Sequence, residues 1–163
     1  MRSNKFVKFK YISLGLFKIL KNIENQKTFD TNKEIIQLKK FTLECKKILD
    51  FKKDIRALII CLYPVNYNGS KFSAQTVKKI LEIMCNYAGE TLIQNASKDK
   101  LIEVYDRDRK LSMHKGSRYH QTREGGSIHT DNVNIPTGWE YLMFGCLSSS
   151  KAGGETILVD SKV

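Results

Sequence analysis

Proline is nearly missing from this chain, with two among 163 residues, so a collagen-like or proline-rich linker architecture is excluded. Long apolar runs are missing too. No stretch of about 18 or more apolar residues occurs, which excludes a helical membrane span of the usual kind and leaves no membrane partner expected. Cysteine is sparse. Cys45, Cys61, Cys85 and Cys146 are far apart, form no C-x-x-C pair, and each sits in an apolar segment. That spacing argues against a disulfide framework and predicts buried, reduced thiols. Histidine is scarce as well: His114, His120 and His129, all in one window.

Acidic residues are short in number, 17 against 28 Lys and Arg, for a net charge of +11. The excess is concentrated. Residues 1–60 hold 15 basic against 6 acidic side chains. A basic patch of this kind fits nucleic acid or another anionic surface. Its lysines are not interleaved with aromatic residues, as a single-strand-binding surface requires, so a solvated surface is the expectation and nucleic acid is not the expected partner. Residues 1–20 mix basic and apolar residues like a targeting peptide. Lys8, Lys10 and Lys18 nevertheless interrupt every candidate apolar core, and no small-residue cleavage site follows. A cytoplasmic protein is therefore expected.

A hydrophobic content of 41% and a charged content of 28% describe a globular chain, long enough for one domain over residues 1–163. Residues 1–90 read as helical. Thr31-Asn32-Lys33-Glu34 fits a capping box, and Leu38, Phe41, Cys45 and Ile48 recur at helical spacing behind it, predicting a helix over 33–50. Residues 55–63 form a short apolar run ended by Pro64, which predicts a buried strand. A second helix is predicted over 74–88, capped by Ser73, ended by Gly89, with Val77, Ile80, Leu81, Met84 and Ala88 on one stripe.

Beyond residue 90 the texture changes to strand-like runs at 91–94, 101–105, 126–130, 139–147 and 155–160. Turn formers at 95–99, 125–126, 136–138 and 153–154 separate them. Helices followed by strands predict an α+β protein.

His129 and Asp131 form an H-x-D pair. On a strand, residues i and i+2 face the same way, so an imidazole nitrogen and a carboxylate oxygen reach one ion from a single segment. Those two donors are two-thirds of the 2-His-1-carboxylate set that holds Fe(II) with one face open. Gly125 and Gly126 precede the pair and permit close backbone approach.

Residues 125–160, Gly-Gly-Ser-Ile-His-Thr-Asp-Asn through Gly-Gly-Glu-Thr-Ile-Leu-Val-Asp, resemble the taurine dioxygenase (TauD/TfdA-like, clavaminate synthase-like) family of Fe(II)- and 2-oxoglutarate-dependent oxygenases. That family carries an H-x-D/E motif, a hydrophobic strand and a G-G-[DE]-T segment; here Thr156 follows His129 by 27 residues, in the family's register. The resemblance implies a double-stranded β-helix, or jelly roll, of which this chain would hold the first half after its N-terminal helices. It implies that His129 and Asp131 ligate Fe(II) and that Thr156 contacts the carboxylate of 2-oxoglutarate. The implied reaction consumes O₂ and 2-oxoglutarate, releases succinate and CO₂, and hydroxylates a small molecule. Asp131 in this place leaves no halide position, so hydroxylation or desaturation is expected over halogenation.

The family's second histidine and its 2-oxoglutarate-binding arginine lie well downstream of the H-x-D motif, and neither occurs between Thr156 and Val163. The expectation is a truncated chain, inactive by itself and exposing core surface and strand edges. His114 and His120 precede the motif, on the wrong side for that role. Arg118, Arg123, Asn132 and Asn134 surround the presumed site mouth, and Arg123 and Asn132 are the substrate candidates, for an acidic or amino-acid-like molecule. Two other readings stand beside the enzyme. One is a basic binding module contacting nucleic acid through Lys39, Lys40, Lys46, Lys47, Lys52 and Lys53. The other is a degenerate jelly roll that keeps His129 and Asp131 without binding metal.

Overall fold

A computed structural model describes residues 6–26, 32–51, 54–105, 112–116, 124, 126–131, 139–149 and 153–159. The chain divides into two compact units. The first comprises Met1–Thr91 with Phe144–Leu147 and Asp160–Val163; the second comprises Leu92–Met143 and Ser148–Val159.

The first unit runs β1 (Val7–Tyr11), α1 (Leu14–Gln26), α2 (Asn32–Phe51), β2 (Ala57–Cys61) and α3 (Ala74–Ala88). β1 and β2 pair in parallel, with Val7 opposite Ala57 and Tyr11 opposite Cys61. Parallel neighbours need a long crossover, and α1 with α2 supplies it. Side chains alternate across the strands. Lys10 turns toward α2, where it pairs with Glu44 at 3.1 Å and lies 5.4 Å from the Phe41 ring centre. Phe9 and Ile59, partners in register, face outward and are exposed.

The core lies among the helices. Leu16, Phe17 and Leu20 of α1, Leu38, Phe41 and Cys45 of α2, and Val77, Ile80 and Met84 of α3 are buried. Thr42 is buried with them, and its hydroxyl donates to the Leu38 carbonyl at 2.8 Å, which satisfies it inside the apolar layer. Ser13 starts α1, its hydroxyl accepting from the Leu16 N–H at 3.1 Å. Between β2 and α3, Tyr63, Tyr67 and Phe72 gather around Phe17, with centroids 4.7–6.2 Å from it.

α3 has the bounds its sequence predicts. Ser73 accepts from the Thr76 N–H at 3.2 Å, and Gly89 ends the helix with its N–H on the Cys85 carbonyl. α2 and β2 also form where they are expected. β2 is only half buried, though, with Ile59 exposed, because two strands cover each other poorly. The Thr31 capping box lies outside the described residues.

The second half differs from its sequence reading. At 91–94, 101–105, 126–130, 139–147 and 155–159 the described residues form no strand. A strand is defined by its ladder, so an apolar alternating segment without an adjacent partner remains irregular. Local turns hold the backbone instead, through bonds from Gln94 N–H to Asp99 at 2.7 Å, Lys98 N–H to Asn95 at 3.0 Å, and Lys115 N–H to Ser112 at 3.0 Å. Ile102, Val104, Ile128, Leu142, Ile157 and Val159 are accordingly exposed. The thiols also depart from expectation in their burial, at Cys61 and Cys85, which are partly exposed, and at Cys146. All four cysteines are free, but only Cys45 is fully buried and Cys146 is exposed, since its segment is not packed as a core strand. The chain is thus a mixed α/β protein with three α-helices and a two-stranded parallel sheet among the described residues. None of these helices is long and apolar enough to cross a membrane.

Candidate metal centre

His129 and Asp131 sit in irregular backbone of the second unit, with Thr130 between them. Their side chains nevertheless turn to one side. His129 Nε2 lies 3.2 Å from Asp131 Oδ1. The other ring nitrogen, Nδ1, is 2.6 Å from the Ser127 carbonyl oxygen. A carbonyl only accepts, so Nδ1 carries the hydrogen and donates. That assignment leaves Nε2 as the ring position for a proton or a metal.

The electrostatics follow. The hydrogen bond from Nδ1 to the Ser127 carbonyl holds the imidazole pKa above its usual value; partial desolvation works against this, and the Asp131 carboxylate adds to the rise. Without a cation, a carboxylate facing Nε2 favours the imidazolium. A divalent cation can take the place of that proton.

The donor set can be tested against a metal. Two adjacent ligands of an octahedral ion, each about 2.1 Å from it, are separated by about 3 Å. The observed 3.2 Å suits that spacing. The Ser127 carbonyl also plays the part that an outer hydrogen-bond partner plays at metal sites, fixing ring tautomer and orientation. One imidazole and one carboxylate are donor types that suit an Fe(II) ion, and here they contact each other directly as an ion pair. Among the described residues, no group of three or more His, Cys, Asp or Glu side chains is arranged to hold an ion. The pair is open to solvent, with side-chain exposures of 44% for His129 and 35% for Asp131.

No protein-family model, curated protein or solved structure matches this chain. The chemistry of the site therefore rests on its own residues.

Thr156 belongs to the same compact unit as the pair and is exposed. It follows Gly153 and Gly154, whose φ angles of 75° and 80° lie in the left-handed region. Two such residues in succession are what glycine permits, so the glycine pair sets the direction in which the Thr156 segment leaves the turn. Arg123 and Asn132, the substrate candidates, lie outside the described residues, as do Arg118, His120 and Asn134. His114 is exposed in a single 3-10 turn, Met113–Lys115, with its N–H on the Ser112 hydroxyl at 3.2 Å. Ser127 is the participant that sequence reading missed. It is an ordinary serine two residues before the histidine, and it acts through its backbone, which carries no residue-type signal.

Proposed function

We propose that this chain belongs to an Fe(II)- and 2-oxoglutarate-dependent oxygenase, a cytoplasmic hydroxylase of a small molecule, with His129 and Asp131 as two of its iron ligands. The observation that carries this reading is the pairing of Nε2 with Oδ1 at 3.2 Å, with the ring held from behind by the Ser127 carbonyl.

When bound, iron would supply the redox chemistry with O₂ and 2-oxoglutarate. This chain's part is positional. His129 offers a neutral nitrogen once its Nε2 proton leaves. Asp131 offers a negative oxygen beside it, which offsets part of the charge of a divalent ion. Thr156 offers a hydroxyl to a carboxylate of the keto acid. A jelly roll remains the architecture this reading calls for, with the exposed apolar residues of 102–159 as its inner face. The free thiols suit a reducing compartment.

Calorimetric titration of 2-oxoglutarate tests the reading. With Mn(II) in place of iron, to avoid oxidation, the keto acid should bind only when the metal is present, and Thr156→Ala should weaken it while leaving the metal in place. Binding that ignores the metal would remove the proposal. The degenerate alternative, in which the pair is retained without a ligand, predicts no metal uptake at all.

A further inference from the structure

α2 carries a second surface that its core packing does not explain. Leu38, Phe41, Thr42 and Cys45 point into the core. At roughly 100° per residue, Ile36, Leu43 and Phe51 fall on the opposite side. All three are exposed, by 47%, 39% and 79% respectively. Lys39, Lys40 and Lys47 lie in the same stripe and are exposed with them. The stripe is about 22 Å long at a rise of 1.5 Å per residue.

Its charge is one-sided. Asp50 is taken up by Lys46 at 3.1 Å, and Glu44, at the margin, by Lys10 at 3.1 Å. Lys39 lies over the Tyr87 ring at 5.2 Å. Lys40 and Lys47 have no acidic partner among the described residues. The excess of 15 basic over 6 acidic residues in positions 1–60 adds a wider positive field around the face.

We propose that the outer face of α2 docks this chain on an anionic lipid bilayer, with Ile36, Leu43 and Phe51 entering the headgroup–acyl boundary and Lys39, Lys40 and Lys47 meeting the headgroups. Aliphatic and basic side chains alternate on this one face, which is the pattern a charged interface with an apolar layer beneath it accepts. The lysine stems lie along the apolar layer while their ammonium groups reach the phosphates. A nucleic acid would satisfy the charge but not the side chains: Ile36 and Leu43 would face a phosphate backbone, and Phe51 is the one ring available for stacking. A second copy of this face would set three lysines against three. Lying in the interface needs no spanning helix, so the docking is compatible with the absence of one among the described residues. The face belongs to the first unit and the iron ligands to the second, and neither proposal depends on the other.

Co-sedimentation of the whole chain with vesicles provides the test. Phosphatidylcholine vesicles containing phosphatidylserine should carry the protein down, phosphatidylcholine alone should not, and added salt should release it. The double variant Lys40→Glu/Lys47→Glu should lower binding by about tenfold or more. Leu43→Ser/Phe51→Ser should also lower it by about tenfold, with circular dichroism reporting that the helices persist. No binding of the parent chain to phosphatidylserine vesicles overturns the proposal, without reference to any variant. So does unaltered binding of the Leu43→Ser/Phe51→Ser chain. Single-stranded or duplex nucleic acid bound more tightly than the vesicles, and released by the lysine variant alone, would reassign the face and overturn the lipid reading.

Discussion

Glu24 of α1 accepts a hydrogen bond from the backbone N–H of Ser73, the residue that caps α3. The same carboxylate holds Lys21 at 2.8 Å, and Lys21 reaches the Ser70 carbonyl at 3.0 Å. Two residues one helical turn apart on α1 thus fix the loop that delivers α3. Burial by itself would raise the Glu24 pKa. The hydrogen bond from Lys21, the Ser73 N–H and the Lys21 charge together bring it below the usual carboxylate value.

The sign of the resulting pH dependence is set by that depression. A carboxylate whose folded pKa is lowered contributes stability above its unfolded value, and loses it as pH falls through the folded one. Glu24 therefore contributes fully above pH 4.5 and progressively less below it. Glu24→Gln should destabilise the first unit by about 1–2 kcal/mol at neutral pH. Urea titrations of parent and variant should converge as the medium is acidified. A gap that persists in acid would mean that the carboxylate charge is not what holds the loop.

Core substitutions should separate cleanly from surface ones. Leu20, Leu38 and Ile80 are 0–1% exposed, and truncation of any of them to alanine should cost about 2–5 kcal/mol. Phe51→Ser, at a side chain 79% exposed, should move the urea midpoint little. Equal losses at Phe51 and Leu20 would mean that the described core is not the one that forms.

The thiols should report the same burial. Burial pushes Cys45 up to about 11, against a lowering by Lys10 and a further rise from Glu44. A group with a raised folded pKa loses its contribution as pH rises, here between about 9 and about 11. Native alkylation should label Cys146 first and Cys45 last, as read by mass spectrometry of peptides. Early labelling of Cys45 would contradict its place between the helices.

α2, β2 and α3 were legible in the residues, and the misses have two causes. α3 carried every local signal, from a serine cap to a glycine stop, so both of its ends could be read. α1 and β1 were missed because lysines interrupt their apolar positions. Lys10 is nevertheless accommodated by Glu44 and the Phe41 ring, partners that are distant in sequence. The strand-like runs beyond residue 90 show the opposite error. Alternation says that a segment can be a strand, but not that a neighbour exists to pair with it. At the candidate site, the same-face relation of His129 and Asp131 was anticipated from strand geometry. In the structure it arises without a strand, through the pull of the Ser127 carbonyl on the ring. Arg123 and Asn132 remain sequence readings, outside the described residues.

Metal uptake should be linked to protons. Binding at Nε2 displaces a proton from an imidazole whose pKa is raised, so apparent affinity should begin to fall above the ordinary histidine value of 6.5 as the solution is acidified. Below that pKa it should drop by about tenfold per pH unit, for one proton displaced. A titration with Mn(II) at several pH values checks this. An affinity flat from neutral pH to well below 6 would mean that no imidazole is involved.

The most direct test of the iron reading compares Mn(II) affinity in the parent chain with that in His129→Ala and Asp131→Ala, by electron paramagnetic resonance of the free ion. Both variants should lose affinity at least about tenfold, since each removes one of two protein donors. Affinities equal to the parent's would contradict the account, and His129 and Asp131 would then be a surface ion pair and nothing more.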